Sequence, residues 1–318
     1  MYYSFINLLK AFAAVLITNS HMGDLYPLSF LSVGGAIGNT IFFLVSGFCI
    51  SNRIMCGGGV KNTWLSERIK RVYVPTLFIG SILVLMGDIP LNFKSIFDSI
   101  IFPIRFWFVV AILLYYIILL PVSRCNMKSL KCILFFSVLL YSIAYIFILK
   151  KNRWEVEDGW FKYIFYFIPF LIGYMIKYNR KYIEYKICTK SKMFLLFSVM
   201  SALMYILSRL LIMVSPRIMK LQFIVQIMTL STGLFIFLFT YSIERSILTS
   251  RIWIGVKPVI EKIANSTLEI YLVNVACIKR VTGLQFPINV MLAFVVIFGV
   301  GTIMHNLIQG VTDFIHCK

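Results

Sequence analysis

The sequence predicts an all-α fold, a polytopic membrane bundle of about ten transmembrane helices with both termini in the cytoplasm. Three observations predict this class. Of the 318 residues, 60% are hydrophobic and only 14% are charged, which leaves too little polar surface to cover a soluble globule. Apolar stretches of about 17 to 25 residues, the length of a membrane-spanning helix, recur along the chain. Lysine and arginine concentrate in alternate connections between these stretches.

The predicted spans follow one another with short polar connections. They cover residues 5–22, 31–50, 73–88, 100–120, 130–149, 160–177, 192–214, 222–243, 263–279 and 287–311. The first is predicted to be a retained helix, because its apolar run is longer than that of a typical signal peptide and continues past AFAA. The ninth is polar for a membrane helix, and such spans are tolerated where they face other helices or a cavity. Residues 1–318 are therefore predicted to form a single membrane domain with no additional soluble domain.

The net charge of +19 has two possible meanings. Basic patches bind nucleic acid, but no zinc-finger spacing or RNA-binding signature accompanies the charge here. One set of alternate loops holds most of the lysines and arginines, and the positive-inside rule places those loops and both termini in the cytoplasm. We therefore predict membrane lipid as a partner, and no nucleic acid.

The cysteines and histidines do not form a recognisable metal or disulfide pattern. The seven cysteines include no CxxC pair, and the three histidines, His21, His305 and His316, are not grouped in the sequence. The chain also lacks HExxH and a phosphate-binding glycine loop. The sequence predicts no metal site and no permanently bound cofactor.

The first predicted helix carries two ionisable residues on one face. Lys10 and His21 are separated by three turns plus about 20°, so they lie about 16 Å apart along the same side. Asn7, Ala14 and Thr18 continue this narrow polar stripe. Ionisable groups inside a span are costly and usually mark a functional path. The alternatives are that Lys10 extends to the membrane surface and that His21 is only an interfacial residue.

Further polar side chains occur within the predicted spans. They are Arg105 in the fourth span, Arg209 in the seventh, and Ser266, Glu269, Tyr271 and Asn274 in the ninth. Each alone is more often a structural contact between helices. Together they indicate a hydrated or substrate-filled interior.

Six segments of the chain carry motifs that can be compared with known families. They are FINLLKAFAAVLITNSH, IFFLVSGFCIS, RIKRVYVP, FWFVVAILLYYIILLP, YFIPFLIGYMIK and STLEIYLVN. In the order and spacing of these motifs over most of the chain, the sequence resembles the acyltransferase-3 family, integral membrane O-acyltransferases that modify bacterial cell-surface polysaccharides. The first helix of that family carries Arg, ten residues and then His, and the first motif has this spacing with Lys10 in place of the arginine.

The resemblance implies an enzyme in the bacterial cytoplasmic (inner) membrane. It would transfer an acyl group, usually acetyl from acetyl-CoA, to a sugar hydroxyl of a polysaccharide or its lipid-linked precursor. It implies that His21 is catalytic, either as the base that deprotonates the hydroxyl or as an acyl carrier. Asp24, three residues later, would orient the imidazole if the helix continues that far.

The resemblance also implies where the substrates bind. Arg68, Lys70 and Arg71, predicted in a cytoplasmic basic loop, are suited to the phosphates of acyl-CoA, although such a cluster could serve topology alone. Lys10 would guide the donor. The remaining candidates, predicted to line the substrate path, are Arg105, Trp107, Glu269, Tyr271 and Asn274.

Three departures from the family pattern leave open the choice of substrate and a diverged or inactive member of the family. Lys10 replaces arginine, Arg105 stands where the family often has histidine, and Asn274 replaces a histidine that often ends the ninth-helix motif. A transporter or flippase for a lipid-linked sugar would use the same interior charges, and an inactive membrane scaffold is the third reading. Dependence on an acyl donor distinguishes an acyltransferase from a transporter.

Overall fold

The chain folds into α-helices throughout the part that a computed structural model describes, which comprises residues 3–56, 62–101, 103–147 and 159–316. The structure is 86% helical, and these ranges contain no β-strand. The prediction of an all-α protein is confirmed.

Short connections join the helices. The α-helices in the described ranges are α1 (Ser4–Ser20), α2 (Gly35–Cys56), α3 (Asn62–Leu85), α4 (Phe93–Ile96), α5 (Trp107–Val122), α6 (Met127–Phe147), α7 (Lys162–Tyr178), α8 (Arg180–Cys188), α9 (Ser191–Val214), α10 (Gln222–Ser242), α11 (Glu244–Thr249), α12 (Arg251–Asn265), α13 (Thr267–Val281) and α14 (Ile288–His316). Between them lie three 3₁₀ helices, Gly23–Leu25, Ser29–Leu31 and Pro216–Leu221, and one π-helical turn, Phe97–Ile101.

Five helical segments are long and apolar enough to cross a membrane. They are Ser29–Ser51, Met127–Phe147, Ser191–Val214, Pro216–Ser242 and Ile288–Asp313. Ser4–Ser20 and Trp107–Val122 are apolar but shorter. The chain is a multi-pass membrane protein, whereas the count of about ten spans and the cytoplasmic termini stay predictions.

The structure corrects the prediction that the basic motif is a loop. Helix α3 begins at Asn62, so Arg68, Lys70 and Arg71 lie on it. The buried side of α3 includes Trp64, whose ring packs edge-on to Tyr116 with centroids 6.1 Å apart. Burial of this apolar side stabilises the helix, while Lys70 and Arg71 lie on its exposed surface and Arg68 is half-buried.

Two other predicted spans are interrupted. The fourth span was predicted to begin at residue 100, but α5 begins at Trp107, and Arg105 lies in the turn before it. The helix starts late because Pro103 lacks an N–H for a helical hydrogen bond. The ninth, predicted as residues 263–279, is divided at Ser266. The Ser266 hydroxyl donates to the Lys262 carbonyl at 2.7 Å, a local bond that competes with regular helix geometry.

The helices form two compact units, and the first comprises residues 1–13, 34–59 and 121–257. Its closest packing joins α2 to α7, where Gly47 faces the Phe170 carbonyl and Gly173 faces the Leu44 carbonyl. A Cβ atom at either glycine would overlap that carbonyl oxygen. The absence of side chains therefore lets the two backbones approach closely.

Within the first unit, charged groups fix the start of α1. The Glu244 carboxylate accepts the backbone N–H groups of Ser4 at 2.8 Å and Phe5 at 2.7 Å. A carboxylate at a helix N-terminus is favourable because it pairs with N–H groups that lack intrahelical partners. The buried Lys177 ammonium donates to the Tyr3 hydroxyl at 2.7 Å and lies 4.5 Å from that ring's centroid. These contacts set the register of α1.

The second unit comprises residues 14–33, 60–120 and 258–318. Helices α13 and α14 pack so closely that a Cβ atom on Gly301 would come within 2.9 Å of the Cα of Ile270. Helix α3 packs against both. At their C-terminal ends α3 and α13 are joined by an ion pair of 2.8 Å between Asp88 and Arg280, which raises the pKa of the Arg280 guanidinium through its hydrogen bond.

Candidate active site

His21 lies on an exposed turn directly after α1. The helix ends at Ser20, and the His21 N–H still donates to the Thr18 carbonyl at 3.1 Å. The imidazole is therefore held at the end of a rigid helix rather than inside it. A large acceptor could reach an exposed turn more easily than a residue within the bundle.

The turn that carries His21 is fixed by Asn19. The Asn19 amide donates to the carbonyls of Leu31 at 2.9 Å and Val33 at 3.0 Å, and its oxygen accepts the Tyr26 hydroxyl at 2.5 Å. One side chain thus closes the loop between α1 and α2. Burial raises the pKa of the Tyr26 phenol, which keeps this hydroxyl a donor over a wider pH range.

Asp24 does not continue the α1 helix. It lies in the 3₁₀ helix Gly23–Leu25, and its side chain is exposed. The helical register that would align it with His21 requires α1 to continue past Ser20, which it does not. Its orienting role stays a prediction.

The polar stripe of α1 faces inward. Asn7 and Thr18 are buried and Lys10 is half-buried, whereas Phe12 and Val15 on the other side are 40% and 39% exposed. The Thr18 hydroxyl oxygen is buried with no hydrogen-bond partner among the described residues. The arrangement expected of a membrane helix, with apolar groups outward and polar groups inward, is present here.

All predicted site residues except Lys10 belong to the second unit. On α3, Lys70 and Arg71 are exposed and Arg68 is half-buried. Arg68 and Arg71 are three residues apart and share one face of the helix, while Lys70 lies to the side. The two guanidinium groups can therefore reach the same anion.

Glu269 pairs with a residue that the sequence analysis did not select. Its Oε1 atom lies 3.0 Å from Nδ1 of His305 on α14, and the two side chains are 5% and 21% exposed. The second carboxylate oxygen, Oε2, is buried without a partner in the described part of the chain. Glu269 sits in the first turn of α13, where the helix dipole favours a carboxylate.

Asn274 is the most deeply buried of the predicted path residues, with 1% exposure. Its amide nitrogen and oxygen are both without a hydrogen-bond partner in the ranges described. A buried amide left unpaired costs about 1 to 3 kcal/mol per group, so a polar ligand or water there would be favourable. Asn274 thus places a polar side chain in the interior of the second unit.

Phe108 connects Trp107 and Tyr271, the two aromatic residues of the predicted substrate path. The Tyr271 ring lies 5.4 Å from Phe108, which in turn packs edge-on to its neighbour Trp107 at 6.1 Å. These contacts join α5 to α13. Arg105 is exposed in the turn before α5, and its backbone N–H donates to the Asp98 carbonyl at 3.0 Å.

A contact between α14 and the loop after α1 shows how far apart the parts of this site are. The buried Asn289 amide donates to the Leu25 carbonyl at 2.8 Å, so the first residues of α14 lie beside the His21 turn. His305 is about 24 Å further along α14 at 1.5 Å per residue. The His21 turn and the Glu269–His305 pair therefore lie toward opposite ends of the unit.

The basic motif lies beyond the Glu269–His305 pair, on the side away from the His21 turn. Helix α3 ends at Leu85, next to the ion pair between Asp88 and Arg280, and Arg71 lies about 21 Å back along α3. Glu269 lies about 16 Å back from the same ion pair along α13. Arg71 is thus about one turn beyond Glu269, away from His21. The second unit has a basic end, a buried polar middle and an exposed histidine at the other end.

Comparison with known protein families identifies a match. A family model described as an acyltransferase domain, of the acyltransferase-3 type, matches residues 3–305, nearly the whole chain. The matched range contains every predicted site residue and His305. No curated protein and no solved structure matches the chain.

Proposed function

Because the chain belongs to the acyltransferase-3 family, we propose that it transfers an acetyl group from acetyl-CoA to a sugar hydroxyl. The acceptor is a cell-surface polysaccharide or its lipid-linked precursor, and the enzyme works in the bacterial cytoplasmic membrane. The near full-length family match carries this proposal. The separation of a basic end from an exposed histidine in the second unit supports it.

His21 is the residue proposed to activate the acceptor. A sugar hydroxyl attacks a thioester poorly unless its proton is removed, and histidine is the side chain that most readily accepts a proton near neutral pH. The hydroxyl oxygen attacks the thioester carbonyl, the carbon–sulfur bond breaks, and the proton passes to the departing thiolate. In the alternative route His21 first takes the acyl group and then passes it to the sugar.

Arg68, Lys70 and Arg71 are proposed to hold the phosphates of the donor. Guanidinium groups bind phosphate through paired, charge-assisted hydrogen bonds, and Arg68 with Arg71 on one face of α3 offers two of them. Lys10 would balance the charge of the entering donor. The acyl-bearing arm of CoA is thin and carries amides, which suits a path lined by polar groups.

The order of the groups along the second unit suits this use of the donor. The headgroup of acetyl-CoA would stay at the basic end, and its arm would extend past Glu269, His305 and Asn274 toward His21. The positive-inside rule predicts that the basic end faces the cytoplasm, where acetyl-CoA is made. The acceptor would then meet the acetyl group near the opposite membrane surface.

The proposal is tested on the surface polysaccharide of cells with and without this protein. We expect alkali-labile acetyl esters to be present when the protein is made and to be lost when it is absent. Re-expression should restore the esters. Polysaccharide with the same ester content in both strains would contradict the proposal.

A transporter or flippase for a lipid-linked sugar is the second candidate. The unpaired buried atoms of Thr18 and Asn274 favour it, because a translocation path also needs polar groups inside a bundle. The two functions differ in their need for the donor. A transporter moves unmodified lipid-linked sugar across liposomes without acetyl-CoA, whereas an acyltransferase modifies the sugar only when acetyl-CoA is supplied.

A further inference from the structure

Helix α12 has an apolar face that the described residues of the chain leave uncovered. Ile252, Val256 and Val259 are 78%, 42% and 61% exposed, and at 100° per residue they point within about 60° of one another. Trp253 on the same helix is buried and faces the protein. An apolar stripe of this kind on an exposed helix needs another apolar surface to cover it.

Basic residues lie along one edge of this face. Arg251 and Lys262 are exposed and point within about 20° of each other, next to the apolar stripe. Ile254, which is also 66% exposed, points away from the stripe. The combination of an apolar face with a cationic edge is typical of helices that lie in a membrane surface.

The position of α12 in the chain places it at such a surface. It follows α10, which belongs to a segment long enough to cross the membrane, and it has 15 residues, too few to cross. The short helix α11 between them is held at the first turn of α1 by the contacts of Glu244 with Ser4 and Phe5. Helix α12 therefore begins where membrane helices end.

We propose that α12 lies flat in the membrane interface and binds anionic lipid. Ile252, Val256 and Val259 insert among the upper acyl chains, and Arg251 and Lys262 contact negatively charged headgroups. Anionic lipid is favoured over a second copy of the chain because a second copy would bring the same cationic edge to the contact. This surface is separate from the proposed reaction.

The insertion of the apolar face is tested with single added tryptophans in the full-length protein. Val259→Trp places the probe on the apolar face, and Ile254→Trp places it on the opposite side of the same helix as a matched control. Each variant is reconstituted in phosphatidylglycerol vesicles with and without brominated acyl chains, and the wild-type signal is subtracted.

We expect brominated lipid to quench the added tryptophan of Val259→Trp at least twofold more than that of Ile254→Trp. Equal quenching of both probes, or quenching of neither, would overturn the flat orientation. If the added tryptophan of Val259→Trp is shielded from quenching at high protein density and becomes quenched when the protein is diluted within the bilayer, a second copy of the chain covers the face. That result would overturn the lipid proposal.

The preference for anionic lipid is tested separately by native mass spectrometry of the full-length protein with mixed phosphatidylglycerol and phosphatidylcholine. Lys262→Gln should reduce the bound phosphatidylglycerol about twofold or more. Lys279→Gln, an exposed lysine near the other end of α13, should leave it unchanged. Equal amounts of bound phosphatidylglycerol in the wild type and both variants would overturn the role of the cationic edge.

Discussion

The Nδ1 atom of His305 lies 3.0 Å from the Oε1 atom of Glu269, across the close contact of α13 and α14. The contact depends on Gly301, one turn before His305, which lets α14 approach the backbone of Ile270. A carboxylate beside one ring nitrogen fixes the orientation of an imidazole and leaves the other nitrogen for a second partner. The pair thus behaves as one polar group on the proposed donor path, between the basic motif and the His21 turn.

If Glu269 and His305 act as a unit, their substitutions should not be additive. We expect Glu269→Gln and His305→Gln each to lower kcat/KM for acetyl-CoA by about tenfold, and the double variant to lose little more. Initial rates over a range of donor concentrations measure this, with thermal unfolding as the control for folding. A decrease in kcat/KM of the double variant equal to the product of the two single decreases would show that the two residues act independently.

Lys10 should act through its charge. We expect Lys10→Arg to keep most of the acetyl transfer and Lys10→Met to lose at least about tenfold, because arginine retains the positive charge that methionine lacks. Transfer of labelled acetyl from acetyl-CoA in membranes containing equal amounts of each variant measures the difference. Equal loss in both variants would show that the length and shape of lysine matter rather than its charge.

Arg71 should matter for the phosphates of the donor and not for the chemistry. Arg71→Gln is expected to raise KM for acetyl-CoA about tenfold with kcat nearly unchanged, because a phosphate contact is made equally in the bound and transition states. Lys128→Gln, an exposed lysine on α6, is the control. With acetyl-pantetheine, which lacks the nucleotide phosphates, the variant and the wild type should be equal. A defect that persists with acetyl-pantetheine would remove Arg71 from phosphate binding.

The contact of α2 with α7 should tolerate no added methyl group. Gly173→Ala would overlap the Leu44 carbonyl and is expected to destabilise the protein by about 1 to 3 kcal/mol or more. Gly299→Ala is the matched control, because a Cβ there meets open space and alanine favours the helix. Thermal unfolding in detergent compares the two. Equal stability of both variants would contradict the close approach.

The sequence predicted the helical architecture because hydrophobic length and charge alternation are local signals. The inward stripe of α1 followed from the 3.6-residue period of Asn7, Lys10 and Thr18. The ends of elements were less predictable. Pro103 delays the start of α5, and the hydrogen bond from Ser266 to the Lys262 carbonyl divides the ninth span. Single residues of this kind hardly change the average hydropathy of a segment, so the average does not reveal them.

The pairing of His305 was not predictable from one sequence. The residues of the pair are 36 apart and lie on different helices, and no period or motif connects them. The Asn289 contact with Leu25 is likewise between distant segments. Arg68 and Arg71 were selected as a basic motif by resemblance, and their role stays a prediction. The extension of α3 over them was not predicted, because it depends on the burial of Trp64, which only packing reveals.

The central claim is that this chain transfers acetyl through His21. The most direct measurement is the transfer of labelled acetyl from acetyl-CoA to extracted surface polysaccharide, or to its lipid-linked precursor, by the purified protein in liposomes. We predict transfer by the wild type, and loss of transfer by His21→Ala at equal amount and unfolding temperature, since His21 is exposed and its loss leaves no buried gap. Undiminished labelling by His21→Ala would contradict the account.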